Sequence, residues 1–372
     1  MIILILLLSA GLLVLFSATY YSASTNRLSE VTKQLIGIAL GTVACYVTSR
    51  VPYRFWRQTW VVVTGLAVSA VLLILVIIPG VGVYINGSRR WLSLGGLSFQ
   101  PSELAKFAIV LYMATVLSYS GPRIRCLWTG IVPMLIVPGV TFLLILEQPN
   151  LSTAGSIMIV SLILIIMAGA RWRHILLMLV GGVAVGGFYA WSEPYRRRRL
   201  LSFRNPFAMM SDEGYQLSQS LIALGSGGLF GMGLGQGKQK FAYLPYPESD
   251  FIFAIVGEDF GLVGCAAVVA LFALFVYAGL RISLACPDRY GCLLGAGITS
   301  MIGLQAFINM GVVTGILPTT GLPLPFFSAG GTSVSMIMAA VGILLSISRT
   351  GGRAIVPRRT ARENAGSGGK QP

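Results

Sequence analysis

Asp250 is the residue around which chemistry is easiest to build. It closes the run Leu244-Pro245-Tyr246-Pro247-Glu248-Ser249-Asp250 and precedes Phe251-Ile252-Phe253, so two carboxylates stand at the mouth of a long apolar segment. A carboxylate there can cap a helix, because the unpaired N–H groups and the dipole of a helix start favour negative charge. That explanation would suffice for Asp250 taken alone. The same group can also serve as a general base. The chain has a single histidine, His174, and the layout below puts it at the other face, so a carboxylate is the only plausible base at the face that carries Asp250. Glu258 and Asp259 follow two turns on, in Gly257-Glu258-Asp259-Phe260-Gly261, where a neutral or partnered state is expected.

Two other segments are too polar for membrane filler. In Gln100-Pro101-Ser102-Glu103-Leu104-Ala105-Lys106, Pro101 suits the first turn of a helix with Gln100 or Ser102 as cap. Glu103 and Lys106 are spaced i,i+3 and can pair on one face. A charge at bilayer depth is costly and faces a cavity or a partner; an ion pair that merely anchors a helix end is the plainer reading. Ahead of it lies Asn86-Gly87-Ser88-Arg89-Arg90-Trp91. The second segment runs from Gly214-Tyr215-Gln216 to Gly235-Gln236-Gly237-Lys238-Gln239-Lys240 and is rich in glycine. Its Gly225-Ser226-Gly227-Gly228 looks like a phosphate cradle only superficially. Gly237-Lys238 is followed by Gln239, where a nucleotide-binding loop requires Ser or Thr. Tight turns and close helix packing explain these glycines, and no nucleotide site follows.

The elements that must position these residues are membrane helices. Hydrophobic residues make up 55% of the 372 and charged residues 10%, against about 25% charged in soluble domains; the mean hydropathy is +0.80. The apolar residues come in unbroken runs, and about 20 of them cross a hydrocarbon core. Ten spans are expected: Ile2–Tyr20, Thr32–Ser49, Gln58–Ile78, Ser102–Ser120, Leu127–Leu146, Leu151–Ala170, His174–Trp191, Asp250–Leu280, Gly291–Ile316 and Ser328–Ser348. The first lacks a basic leader and a small-residue cleavage site, so it reads as a span rather than a signal peptide. The run from Asp250 to Leu280 is long for one crossing and is expected to tilt or protrude. The fold class is therefore an all-α integral membrane protein, with a membrane domain over 1–349 and a large outer loop near 192–249. A basic tail at 350–372 is expected to be disordered.

Arginines set the orientation. Arg50, Arg54 and Arg57, then Arg123 and Arg125, Arg171 and Arg173, and Arg281 and Arg289 fall in alternate short loops, and the tail adds more. Both termini are then cytoplasmic. The run Arg196 to Arg199 lies in the large outer loop, which is long enough to escape the short-loop rule; it is either a solvated, headgroup-facing run or a seat for an anionic substrate. Cys45, Cys126, Cys265, Cys286 and Cys292 show neither a disulfide framework nor metal-ligand spacing. The balance of +15 is accounted for by inner loops, tail and that outer run, and gives no reason to expect nucleic acid.

Taken in order, Asn86-Gly87-Ser88-Arg89-Arg90-Trp91, Gln100-Pro101-Ser102-Glu103-Leu104-Ala105-Lys106, Gly214-Tyr215-Gln216-Leu217-Ser218-Gln219-Ser220, the Asp250 segment through Gly261, and Thr320-Gly321-Leu322-Pro323-Leu324-Pro325-Phe326-Phe327-Ser328-Ala329-Gly330-Gly331 resemble the SEDS family of FtsW, RodA and SpoVE. The resemblance runs from the first span to the last and leans to the FtsW/SpoVE branch. It implies a peptidoglycan glycosyltransferase, polymerising lipid II beside a class B penicillin-binding transpeptidase in the bacterial plasma membrane. The family's essential Asp before Phe-Ile-Phe matches Asp250, and its conserved Lys matches Lys106, with Glu103 beside it. The family's Leu-Pro-Glu-Ala-His-Thr-Asp reads Leu-Pro-Tyr-Pro-Glu-Ser-Asp here, which puts a fixed role for Glu248 in doubt.

On this resemblance Asp250 is the expected catalytic base. The expected substrate-binding set is Lys106, Glu103, Arg89, Arg90, Lys240, Gln216, Glu258 and Ser328. Cations neutralise the leaving pyrophosphate; no resident metal site is expected, and a divalent cation, Mg or Mn, is the one cofactor the chemistry admits. Two rivals stand beside this reading. A lipid II flippase would suit the same bundle, although no internal repeat of the transporter kind is evident. A scaffold that recruits the transpeptidase without chemistry of its own is the other.

Overall fold

A computed structural model describes residues 1–20, 29–85, 88–94, 97–192, 197–198, 201–210, 214–239 and 243–354 of the chain. Apolar runs become helices because a backbone without water must satisfy its own N–H and C=O groups. In chain order these are α1 (Ile2–Tyr20), α2 (Ser29–Arg50), α3 (Thr59–Ile77), α4 (Pro101–Tyr119), α5 (Val132–Leu146), α6 (Leu151–Met167), α7 (Trp172–Ser192), α8 (Tyr215–Gly227), α9 (Ile252–Leu284), α10 (Arg289–Val313) and α11 (Gly331–Ala354). Among the described residues, nine helices are long and apolar enough to cross a membrane, and Leu151–Met167 is a shorter apolar helix beside them. These ten are the ten expected spans.

Successive crossings sort the loops to two ends. One end collects Arg50, Arg54, Arg57, Arg123, Arg125, Arg171, Arg173 and Arg289. There Arg57 lies over the rings of Tyr119 and Tyr290, and Arg289 donates to the Ala168 carbonyl. The other end carries the long connections before α4, between α7 and α9, and between α10 and α11; the candidate residues lie there.

Three features were not in the helical reading. The connection before α4 is a three-stranded antiparallel sheet, β1 (Gly82–Ile85), β2 (Ser88–Leu94) and β3 (Leu97–Phe99), in the order β1-β2-β3. Its register pairs Gly82 with Leu92 and Leu92 with Phe99. The stretch from 192 to 249 contains α8, which packs along α9 and donates from Ser220 to the last carbonyl of α10, Val313. Finally, α9 does not run straight through: Gly261 has φ +66° and ψ −161°, a conformation open essentially to glycine. Residues 252–260 form a short helix of their own, and the remaining residues to Leu284 make the crossing.

The seam between α2 and α11 joins the first part of the chain to the last. Ser335 donates to Gly37 O, Thr48 to Ala339 O, and Ser346 to Val51 O. Small residues bring the backbones close enough for such bonds; any side chain on Gly37 would overlap the backbone of Gly331.

Candidate active site

The connection 314–330 forms a rim at the loop-rich end, and the elements carrying Asp250 and Lys106 are fastened to it. The rim is anchored from below by aromatic burial. Phe326 and Phe327 are fully buried and meet Phe272, with Phe326 also against Phe275. Phe326 holds φ +68°, a strain of about 1–3 kcal/mol for a bulky residue that its burial must outweigh.

Asp250 lies in the turn before α9, half-buried. Its backbone carbonyl accepts from Asn309 Nδ2 at 2.7 Å, and the same nitrogen donates to Leu322 O on the rim at 2.8 Å. Its carboxylate abuts the rim at Gly321, where a Cβ would lie 3.5 Å from Oδ2. Ser328 fixes the same turn from the other side: its hydroxyl donates to Ser249 O at 2.5 Å and accepts from Leu324 N at 2.8 Å. Ala329 N donates to Glu248 O at 2.8 Å. Burial pushes the Glu248 carboxyl above its ordinary value; a hydrogen bond from its own backbone opposes this, and the nearby Glu30 and Asp250 carboxylates add to it. Glu248 therefore favours its protonated form more than a solvated glutamate does.

Lys106 reaches α10 one helical turn before Asn309, through Gln305. It pairs with Glu103 at 2.7 Å, the two side chains being 5% and 6% exposed, as the i,i+3 spacing predicted. It also donates to Gln305 Oε1 at 2.6 Å. Gln305 passes the connection on, giving its own N–H to Pro323 O at 2.9 Å, while Glu103 accepts from Ser333 at 3.1 Å. Asp250 and Lys106 are thus tied to adjacent rim residues, Leu322 and Pro323, through two amides one helical turn apart on α10. Sequence reading passed over Gln305 and Asn309.

The other candidates take up bonds within the chain. Arg90 donates to Gln148 O at 3.0 Å and to Pro149 O, tying β2 to the turn that opens α6. Asn150 then caps α6 and Ser152 donates to Thr320 O on the rim. Arg89 lies over the Tyr84 ring. Gln216 donates to Pro245 O at 3.3 Å, steadying the Asp250 loop. Glu258 is fully buried and accepts from the backbone N–H groups of Lys238 and Gln239 at 2.5 and 2.9 Å, so it holds the glycine-rich segment against α9. Asp259 accepts from Ser17 of α1. Lys240, Arg196 and Arg199 lie outside the described residues, and Arg197 and Arg198 are exposed. Among the described residues no group of three His, Cys, Asp or Glu could hold a metal ion.

The arrangement sets a half-buried carboxylate beside an apolar, proline-rich rim, with a buried ammonium one turn along the same supporting helix. Such a site can take a proton from a hydroxyl and offer positive charge nearby.

A family model for cell cycle proteins, covering FtsW, RodA and SpoVE, matches residues 1–352. Stage V sporulation protein E of Bacillus subtilis is 42% identical over 354 residues, spanning 94% of this chain and 95% of that protein. A probable peptidoglycan glycosyltransferase FtsW of Geobacter sulfurreducens is 39% identical, spanning 93% and 94%. Among solved structures, a chain from a study of polymerization and crosslinking by a peptidoglycan synthase complex superposes with TM-score 0.76 at 27% identity, covering 94% of this chain and 97% of that one. The rod shape determining protein RodA of Thermus thermophilus superposes with TM-score 0.66 at 27% identity, covering 93% and 95%.

Proposed function

The chain belongs to the FtsW/RodA/SpoVE family, and we infer from this premise that it is a peptidoglycan glycosyltransferase, acting in cell division or sporulation. It polymerises lipid II into β-1,4 glycan strands with release of undecaprenyl pyrophosphate. The observation that carries the site assignment is the placement of the Asp250 carboxylate against the rim at Gly321, on a backbone clamped by Asn309.

Asp250 takes the proton from the sugar 4-hydroxyl as its oxygen attacks the anomeric carbon, a contribution of roughly 10²–10⁴-fold for a positioned base. The bond to pyrophosphate breaks as the new bond forms, so direct displacement inverts the anomeric centre. Pyrophosphate needs neutralised charge rather than a proton to leave. Lys106 is already paired and acts through the field of its ammonium, with Arg89, Arg90 and Lys240 as the remaining cations of the set. The described residues do not build a metal cage, so no step is assigned to a metal. A role for Mg or Mn is a matter for titration of the assay with chelator.

The site end faces outward and both termini are cytoplasmic, on the strength of the arginines gathered at the opposite end. The partner in this reading is a class B penicillin-binding transpeptidase, supported by a structural relative whose study couples polymerization to crosslinking within one complex.

The test is glycan-strand synthesis from purified lipid II in detergent, with the transpeptidase present, comparing wild type and Asp250→Asn. Polymer from wild type and a loss of at least about 100-fold in the variant are expected. Full activity in Asp250→Asn would remove the base. No polymer from either, with lipid II crossing liposomes that contain the protein, would replace the enzyme with a flippase.

A further inference from the structure

We propose that Asn309 is the residue that positions Asp250 for catalysis, an inference that rests on the reading of Asp250 as base. Asp250 stands in a turn, before the first residue of α9, so the regular helix does not by itself fix where its carboxylate points. Asn309 lies in α10, is 1% exposed, and spends both amide hydrogens on two carbonyls: Asp250 O at 2.7 Å and Leu322 O at 2.8 Å. Both neighbours are acceptors, which determines the amide's orientation, since only the nitrogen can donate. Its Oδ1 has no hydrogen-bond partner among the described residues, so the two donated bonds are its whole attachment.

Those two bonds join the base to the rim against which its carboxylate lies. One turn earlier on the same helix, Gln305 joins Lys106 to the next rim residue, Pro323. An apolar side chain at position 309 would fill the same helix face but remove one donor from the buried Leu322 carbonyl and one from the part-buried Asp250 carbonyl, and with them the link that joins Asp250 to the rim. A displacement of about 1 Å in a reacting group costs on the order of 10²-fold in rate. Asn309 touches no substrate in this scheme. Its effect therefore belongs in kcat rather than KM.

The full-length protein with its transpeptidase is assayed on lipid II as wild type, Asn309→Ala, Asn309→Asp and Asp250→Asn, with kcat normalised to folded, monodisperse protein. Asn309→Ala should lower kcat roughly 100-fold while KM stays within about twofold. Asn309→Asp keeps the shape but donates nothing when ionised; once protonated it regains one O–H donor. Its activity relative to wild type should therefore rise as pH falls, a profile that a purely structural role does not produce. Should Asn309→Ala fail to fold, that ratio carries the test. The proposal is overturned by a kcat within threefold of wild type in Asn309→Ala, by a loss confined to KM, or by a flat pH ratio in Asn309→Asp. Full activity in Asp250→Asn would instead bring down the base assignment, and this inference with it, whereas an inactive Asp250→Asn beside a fully active Asn309→Ala would bring down this inference alone.

Discussion

Lys106 is held inside the bundle by two acceptors at once, Glu103 and Gln305. A buried pair of this kind contributes little net stability, since desolvation offsets the attraction, but breaking it leaves a charge stranded and costs about 3–5 kcal/mol. Lys106→Ala should therefore lower stability by about that much, and Lys106→Met combined with Glu103→Gln should recover most of the loss. Thermal unfolding in detergent checks this; equal destabilisation in both would mean that the ammonium does not neutralise Glu103. The pair was legible from spacing alone. Its continuation was not read, although a signal existed: Gln305 and Asn309 are two amides four residues apart in an otherwise apolar stretch, which sets both on one face of α10. Arg90 shows what residue type leaves open, namely orientation. Sequence offers a cation for an anionic substrate, and the structure adds how its guanidinium is held, by the carbonyls of Gln148 and Pro149.

At the level of elements, hydropathy located every crossing but was blind to what interrupts them. The run that became α9 reads as one long segment of high hydropathy through Gly261, and the carboxylates Glu258 and Asp259 just before it read as buried groups rather than as the mark of a break. The break depends on a positive φ and on hydrogen bonds from Leu262 and Val263 to the glycine-rich segment at Gly228 and Leu229. The small sheet escaped for a different reason: its strands are short, and the Asn86-Gly87 pair between β1 and β2, a strong hairpin signal, sits in a stretch first noticed for its arginines. Packing between helices was equally hidden. Gly37 and Gly65 look alike in sequence, yet a side chain on Gly37 would overlap Gly331, whereas nothing lies within 4 Å of one on Gly65. Gly37→Leu should cost about 1–3 kcal/mol or more by overpacking, and Gly65→Leu should be nearly neutral. Comparing yield and unfolding temperature of the two variants tests the seam; equal behaviour would refute the close approach of α2 and α11.

The molecule as a whole is polarised, with arginines gathered at one end and the candidate site at the other. Its order in space also departs from its order in sequence. The seam of α2 and α11 joins residues far apart in the chain, Gly37 and Ser335 being separated by 298 positions. A chain ending at Gly330 should leave that seam unmade. Cys45, buried in α2, then becomes reactive to a membrane-permeant maleimide in a variant whose other four cysteines are serine, whereas in the full-length counterpart it stays protected. Equal labelling would show that α2 is covered by something other than α11. The seam also sets a schedule for biosynthesis. At about 5–20 residues per second, α2 leaves the ribosome roughly 15–60 s before its partner exists. During that interval Gln34, whose Oε1 later accepts from Gly330 N, has no rim to bind. The rim that carries the site is likewise tied at Gly330 to α2, made long before it, so the active site is completed only after α11 has been made, and a nascent chain remains catalytically silent until that helix has entered the bilayer.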